Sequence, residues 1–382
     1  MSKIKIIQVQ VFDTDERAMK KRLREFLRDL RKRNLAKGLI GDDEHSADFE
    51  DGDLDLFNAE LPDGGLTYKD EAVIAKRVRC LISRRSRAEG TAHLSKEDLQ
   101  RLSPKEAYMT AMMAPSEHWA DEVAAGLHEE MPWMGRATEC AWHDLRRAKR
   151  RGTAIKIEPL LINGPSGIGK STWARAMANR LGLPMAQSDA GAGSAGFDVA
   201  GVERGWGSAQ PGRPVNLLLD HRIANPIFIV DEICKAGIAT STKGRSFSLT
   251  EAMLGLMEPG TARTWTCPYF RLAFDMSHIS WLFTANNLDT VPEPFLSRCQ
   301  IVEVQEITSQ QLHDFAVRRG TEMGLSQEAL EAVCEALGRA PQVTGRRMSL
   351  RDVVRMLERA ETLEGRPPRC SEDLTPASHY DM

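Results

Sequence analysis

The sequence predicts an α/β fold built on a parallel sheet, and three stretches carry that prediction. A short apolar segment, Pro159 to Ile162, runs into a glycine-rich loop and then a helix with its apolar residues on one face. The stretch NPIFIVDE (225–232) is continuously apolar before two carboxylates, which is typical of a parallel strand covered on both faces. A third strand, in WLFTANN (281–287), also ends in polar residues. Helical segments between such strands indicate a parallel sheet.

Composition places the chain among ordinary globular proteins. It has 382 residues, 42% of them hydrophobic and 27% charged, with a net charge of −3. The overall charge therefore favours neither nucleic acid nor a membrane as partner. The seven cysteines form no C-x-x-C pair and no zinc-ligand spacing. No apolar run approaches the roughly 20 residues of a membrane span, and the first residues lack a signal peptide. We expect a cytoplasmic protein without a membrane partner.

The N-terminal region, residues 1–115, is expected to be mixed and mainly helical. KIKIIQVQVF alternates like a strand, and residues 17–34 form a basic amphipathic helix. A solvated face is the commoner explanation of such a helix, and an acidic partner or nucleic acid is the alternative. Residues 41–65 form an acidic linker, followed by helices predicted within 73–87 and 95–113. A further helix is predicted over 135–151.

The glycine-rich loop has the sequence GPSGIGKS and matches the pattern G-x-x-x-x-G-K-[ST] between a strand and a helix. Such a loop curls backbone N–H groups around phosphates, and the helix N-terminus favours an anion. Lys170 would bring charge to the outer phosphates, and Ser171 would offer a hydroxyl to Mg²⁺. A purely structural glycine turn is the alternative. The predicted nucleotide-binding residues of the loop are Gly164, Pro165, Ser166, Gly167, Ile168, Gly169, Lys170, Ser171 and Thr172.

Two carboxylates, Asp231 and Glu232, end the apolar strand at 225–230. The carboxyl ends of parallel strands lie at the same edge of a sheet, beside the phosphate loop. Asp231 is expected to hold Mg²⁺, and Glu232 to orient and deprotonate the attacking water.

Together these stretches resemble an AAA+ ATPase, and within that superfamily the ATPase module of Lon proteases, from about residue 130 to residue 365. Four stretches are more specific for this resemblance than the phosphate loop or the carboxylate strand. They are GVERGWGSAQPGR, EAMLGLMEPGTARTWTCPYF, FDMSHISWLFTANNLDTVPEPFLSRCQIVEV and GRRMSLRDVVRMLERA. The resemblance implies a P-loop AAA+ three-layer parallel sheet, with ATP and Mg²⁺ as ligands. It divides the chain into a nucleotide-binding domain (116–306), a C-terminal α-helical lid (307–366) and a tail (367–382).

The resemblance also implies roles for three residues outside the loop. Asn286 falls on the sensor-1 position, with Asn287 as the alternative. Arg298 falls on the arginine finger, which acts in the next subunit's site; as a residue alone it could equally lie on the surface. Arg347 best matches the sensor-2 arginine, with Arg346 adjacent. A finger acting between subunits implies a homo-oligomeric ring, hexameric by analogy.

The stretch RGWGSAQPGR (204–213) aligns with the family's first pore loop, where an aromatic residue grips polypeptide. Trp206 is that aromatic here, and Gly207 replaces the usual aliphatic neighbour. An indole packs on many side chains, and glycines let the loop move. The alternative is that Trp206 packs against a neighbouring subunit. Trp265 is a weaker candidate for a second pore loop.

The leading functional hypothesis is an ATP-driven ring that remodels or unfolds a polypeptide client, with the N-terminal region docking the client. A nucleic-acid motor or loader, suggested by the basic helix and by RRAKRR at 146–151, is less favoured, because the loop offers Arg204 and Arg213 but places Trp206 at its tip. An ATP-dependent switch working with separately encoded partners is a third possibility. Only residues 367–382 follow the predicted lid, so no protease activity is expected from this chain alone.

Overall fold

The computed structural model describes residues 2–8, 15–36, 66–88, 90–102, 107–192, 195–204, 209–236, 238–240, 246–344 and 348–365. The predicted acidic linker at 41–65 and the tail at 367–382 lie outside these residues. The chain divides into two compact units. The larger unit comprises Met1–Ile6, Met109–Tyr269 and Phe274–Met382, and the smaller unit comprises Ile7–Tyr108 and Phe270–Ala273.

The strands are numbered in chain order as β1 (Ser2–Lys5), β2 (Tyr108–Ala111), β3 (Leu160–Asn163), β4 (Met185–Asp189), β5 (Ile227–Asp231), β6 (Ile238–Thr240), β7 (Ser246–Ser248), β8 (Trp265–Cys267), β9 (Leu272–Phe274), β10 (Ser280–Ala285) and β11 (Gln300–Glu303). The α-helices are α1 (Glu16–Ala36), α2 (Tyr68–Ala88), α3 (Lys96–Arg101), α4 (Glu117–Glu130), α5 (Gly135–Arg151), α6 (Lys170–Leu181), α7 (Ala195–Ala200), α8 (Arg213–His221), α9 (Leu249–Met257), α10 (Pro259–Ala262), α11 (Glu293–Leu296), α12 (Ser309–Glu322), α13 (Gln327–Thr344) and α14 (Leu350–Glu364).

Within the described residues, the larger unit is built on a five-stranded parallel sheet of order β11-β3-β10-β5-β4. In the central strand β10, Leu282 lies opposite both Leu160 of β3 and Ile229 of β5, and all three side chains are buried. This confirms the predicted parallel sheet. Continuous apolar strands form its centre because both of their faces are covered.

Helices α4, α5 and α6 contribute to one hydrophobic core with strands β3, β5 and β10. Trp173 and Met177 of α6 are fully buried there, at the one-turn spacing that the sequence predicted for that helix face. The predicted helix at 135–151 is confirmed as α5, which ends at Gly152 in the left-handed conformation.

The three C-terminal helices α12, α13 and α14 lie in the region predicted to be the lid, 307–366, and have a small core of their own. Leu312 and Ala316 of α12 pack there with Val353 and Leu357 of α14. Capping boxes begin both α12, at Thr308, and α14, at Ser349. Each cap satisfies N–H groups that a helix start otherwise leaves unpaired.

In the smaller unit, α1 and α2 pack as an antiparallel pair around Met19, Ile74 and Val78. The antiparallel direction follows from two contacts at opposite ends. Arg31 donates to Asp70 at 2.8 Å, whereas the Met19 sulfur accepts from Arg85 at 3.5 Å. The basic amphipathic helix predicted at 17–34 is therefore confirmed as α1, with its apolar side on α2.

The helix predicted over 95–113 is wrong in its second half. Helix α3 ends at Arg101, and residues 108–111 form strand β2. Tyr108 is exposed whereas Met109 and Ala111 are buried, an alternation typical of a strand. Thr110 exchanges backbone hydrogen bonds with Arg222 and Ala224, and these replace the bonds that a helix would make within itself. In the part of the chain that the structure describes, no helix is long and apolar enough to cross a membrane.

Candidate active site

The predicted phosphate loop lies between β3 and α6, at the carboxyl edge of the sheet. Its backbone requires glycine at three points, one of which is Gly167 with a φ of +78°. Gly169 has a φ of +88°, which residues with a side chain rarely adopt. At Gly164 a Cβ would come within 2.4 Å of the Val304 carbonyl oxygen. The loop therefore passes close to the neighbouring backbone and leaves the N-terminus of α6 facing the cleft.

Lys170 begins α6, and its side chain is buried within the loop. Its ammonium donates to the carbonyl oxygens of Gly164, at 2.6 Å, and Pro165, at 2.8 Å, and to Asn286 Oδ1, at 2.9 Å. Burial lowers the pKa of Lys170, and the charges of Asp231 and Glu232 oppose that shift. The lysine is thus a partly desolvated cation held by the carbonyl oxygens of the loop.

Asp231, at the end of β5, is oriented by three side-chain donors. Ser171 Oγ lies 2.6 Å from Asp231 Oδ1, and Gln187 Nε2 lies 3.0 Å from Oδ2. The Thr284 hydroxyl also donates to Oδ1 and accepts a hydrogen bond of 2.9 Å from the Glu232 backbone N–H. Thr284 is only 1% exposed, so one buried hydroxyl positions both members of the carboxylate pair.

Glu232 has a left-handed backbone, with φ of +55°, which turns the chain sharply at the end of β5. Its Oε2 accepts from Lys235 at 2.6 Å, and its Oε1 accepts from Asn286 Nδ2 at 3.3 Å. The hydrogen bond from Lys235 is the main cause of a lowered pKa at Glu232. The carboxylate is therefore ionised near neutral pH and close to the predicted sensor residue.

The loop, the ends of β5 and β10, and the lid enclose a cleft of about 870 Å³. Ser166, Gly167, Gly169, Ser171 and Thr172 line it, together with Lys170, Asp231, Glu232 and Asn286. The structure thus brings the loop, the carboxylate pair and Asn286 into one site. Asn287, the alternative to Asn286, is exposed and does not line the cleft.

Four cleft-lining arginines were absent from the sequence-based site: Arg175 on α6, Arg318 and Arg319 on α12, and Arg351 on α14. Arg351 follows Arg347, the predicted sensor-2 residue, by four positions in the sequence. Arg346 and Arg347 lie outside the described residues. The sequence did contain one signal for Arg351. The amphipathic period of α14 places this residue on the exposed side of the first turn of the helix.

Two contacts join the lid to the phosphate loop. The Leu350 N–H donates to the Gly167 carbonyl at 3.1 Å. The indole N–H of Trp133 donates to the Ile168 carbonyl at 2.9 Å, and its ring packs edge-on against Phe315 of α12, with centroids 6.3 Å apart. The loop is therefore joined directly to α14, and through Trp133 to α12.

Arg298, the predicted finger, follows α11 and does not line this cleft. Its guanidinium donates to the Pro294 carbonyl at 2.6 Å, and its Nε lies 3.4 Å from Glu258 Oε2, without hydrogen-bond alignment. Trp265 lies in β8. Trp206 and Gly207, the predicted pore-loop residues, lie outside the described residues.

The oxygen donors of Ser171 and Asp231 suit Mg²⁺, which takes few protein ligands and completes its shell with phosphates and water. The described residues contain no cluster of three or more His, Cys, Asp or Glu side chains able to hold a metal. The donor set thus fits a metal bound together with a nucleotide, and no permanent metal site is seen in the described part of the chain.

Comparison with known proteins identifies the same region. Residues 160–306 match the family described as "ATPase family associated with various cellular activities (AAA)". Lon protease 4 of Sorangium cellulosum is 27% identical over 375 residues, which cover 94% of this chain and 44% of that protein. Lon protease 2 of Herpetosiphon aurantiacus is 31% identical over 191 residues, 49% of this chain and 23% of that protein. The peroxisomal Lon protease homolog 2 of Homo sapiens is 30% identical over 176 residues, 46% of this chain and 20% of that protein. The chain therefore spans less than half the length of these relatives.

Proposed function

Residues 160–306 form an AAA ATPase domain similar to the ATPase module of Lon proteases, and from that premise we propose that the chain is a Mg²⁺-dependent ATP-hydrolysing ring motor. One observation carries the catalytic part. Lys170, Asn286 and Glu232 form a continuous hydrogen-bonded row beside the Ser171–Asp231 pair. A structural glycine turn would not need such a row.

Each group has a distinct task in hydrolysis. The loop N–H groups and the N-terminus of α6 bind the phosphates, and Lys170 places its charge on the outer ones. Ser171 and Asp231 would hold Mg²⁺, which supplies charge neutralisation at the β- and γ-phosphates. Glu232 accepts the proton of the attacking water, while the Asn286 amide orients that water. Glu232 is suited to this task because its lowered pKa keeps it ionised.

We assign Arg298 to the site of a neighbouring subunit, which makes the active unit a homo-oligomeric ring, hexameric by family analogy. Support comes from its position, since Arg298 lies outside the cleft of its own chain. Arg298→Ala should bind ATP but not hydrolyse it. Mixing it with Glu232→Gln subunits should restore some turnover, because one interface then combines an intact finger with an intact base. Mixtures with no turnover at any ratio would contradict action between subunits.

For the client we propose an extended polypeptide, gripped by Trp206 beside Gly207 on a loop facing the ring's channel. The support is the loop's sequence, an aromatic residue with two glycine neighbours and no lysine. The activity that we assign to the cleft residues is ATP hydrolysis, and we assign no proteolysis to this chain.

The deciding experiment is ATP turnover by the full chain with unfolded protein, duplex DNA or RNA added in parallel. Unfolded protein should stimulate turnover. Trp206→Ala should lose that stimulation while keeping basal turnover, and Lys170→Ala should lose nucleotide binding altogether. If unfolded protein left turnover unchanged, the polypeptide client would be wrong. Unchanged nucleotide affinity in Lys170→Ala would refute the site itself.

A further inference from the structure

The antiparallel pair α1 and α2 carries a large positive charge that the net charge of the whole chain does not reveal. Helix α1 contains nine basic and three acidic residues, and α2 seven and two, a net charge of +11 in a chain whose total is −3. Eleven of these sixteen cations are arginines. Arginine presents a planar fork of donors that matches phosphate oxygens.

The acidic residues of α2 are paired with arginines of α1. Asp70 is buried against Arg31, and Glu71 receives two hydrogen bonds, of 2.7 and 2.8 Å, from Arg24. Across α1, Glu16 is held by Lys20 at 2.7 Å. Over its described side chains, the exposed face of α2 therefore carries cations and no carboxylate. The exposed face of α1, in contrast, includes carboxylates.

The exposed face of α2 has a regular arrangement. Its exposed cations, among the described side chains, are Lys69, Lys76, Arg77, Arg79 and Arg84. At about 100° per residue they spread over roughly 160° of the helix surface, and from first to last they span about 22 Å. The other exposed positions between them hold the small residues Ala72, Cys80 and Ser83, and Leu81, 39% exposed, which lies at the edge of the face. The helix can therefore approach a partner closely while its cations reach to either side.

We propose that this face of α2 docks on double-stranded DNA by lying in the major groove with its cations on the flanking phosphates. An α-helix fits that groove, which is about 12 Å wide. The major groove of duplex RNA is too deep and narrow for side chains to read. A protein partner would need a large apolar anchor near the centre of the face, where α2 offers only small residues, because the exposed Leu81 lies at the edge. Tyr68, 90% exposed, lies at one end, where its hydroxyl can donate to a phosphate.

The test measures binding of the full chain, without nucleotide, to a fluorescein-labelled DNA duplex of about two helical turns by fluorescence anisotropy at several salt concentrations. The acidic stretch at 41–65 is present in every variant, so any competition between it and the DNA for the cations is the same in all of them. Because no ATP is used, the result is independent of the proposed ATPase activity.

The test variant is Lys69→Gln, Lys76→Gln and Arg84→Gln combined. If all three contact phosphates, the slope of log affinity against log salt should fall by about 2.7, at about 0.9 per contact. Affinity should fall at least tenfold at physiological salt. The matched control, Arg136→Gln, Arg355→Gln and Arg359→Gln, removes the same charge from exposed sites of the larger unit and should keep both values. Lys69→Arg, Lys76→Arg and Arg84→Lys should keep binding, and circular dichroism checks that each variant folds.

Four results would overturn the proposal. One is an equal loss in the control variant, which would indicate an effect of net charge alone. Another is an unchanged salt slope in the test variant. Tighter binding to duplex RNA or single-stranded DNA of equal length would reject the groove. Displacement of the duplex by polyglutamate at lower charge equivalents would indicate an acidic protein partner instead.

Discussion

Thr284→Val tests whether one buried hydroxyl holds the two carboxylates of the cleft in place. Valine keeps the shape of threonine but removes both hydrogen bonds, one to Asp231 and one from the Glu232 N–H. Loss of a hydrogen bond to a charged group costs about 1.5–3 kcal/mol, and a buried N–H left without its partner costs about 1–3 kcal/mol. Asp231 keeps Ser171 and Gln187 as donors, which reduces the first cost. We expect a loss of about 2–4 kcal/mol in the free energy of unfolding.

The effect on activity should exceed the effect on binding. Glu232 loses the anchor of its backbone, and misplacement of a catalytic group by about 1 Å can cost on the order of 10²-fold in rate. The hydrogen bonds of the Lys170 ammonium go to Gly164, Pro165 and Asn286, so ATP affinity should fall less than kcat. Urea unfolding at constant m-value gives the stability change, and steady-state kinetics separates kcat from nucleotide affinity.

Thr284→Ser is the matched control. It keeps the hydroxyl and loses one buried methyl group, so its stability should fall by only about 0.5–1.5 kcal/mol, with kcat near that of the wild type. Equal losses in the serine and valine variants would show that packing, and not the hydroxyl, is responsible. A valine variant with wild-type kcat would refute the positioning role outright.

Three further predictions concern groups around the same cleft. Lys235→Met removes the hydrogen bond that lowers the pKa of Glu232, so that pKa should rise and the acid limb of the kcat profile should move to higher pH; an unmoved limb would exclude Glu232 as the base. Arg351→Gln should weaken ATP binding measured by calorimetry by about tenfold, the effect of roughly 1.4 kcal/mol, and unchanged affinity would leave Arg351 without a role in binding. ATP should change the fluorescence of Trp133, which lies between the loop and Phe315, and Trp133→Phe should lose that signal; an identical signal in the variant would place the reporter elsewhere.

The parallel sheet could be predicted because its evidence is local. Continuous apolar runs such as that of β5 are long enough to indicate burial on both faces, and the glycine-rich loop has a fixed spacing. Since parallel strands end at one edge, their terminal polar residues Asp231 and Asn286 could be expected near Lys170. The structure confirms this, since Lys170 donates to Asn286 and the next residue, Ser171, donates to Asp231.

The supporting residues could not be predicted from sequence because their contribution depends on neighbours distant in the chain. Thr284 is one polar residue inside an apolar strand, and nothing in that strand shows that its hydroxyl faces β5. Gln187 acts through pairing of β4 with β5. Strand β2 was missed for a related reason: its four residues fit the end of a helix equally well, and only its partners decide.

The left-handed backbone of Glu232 lowers the stability of the fold at a position where the proposed reaction needs a carboxylate. A residue with a side chain pays about 1–2 kcal/mol in that conformation, a cost that glycine avoids and asparagine reduces. A library of variants at position 232 screened only for thermal resistance should therefore become enriched in glycine and asparagine, whereas one screened for turnover should retain glutamate. Comparing the two screens would measure how much thermal stability glutamate costs the chain at position 232.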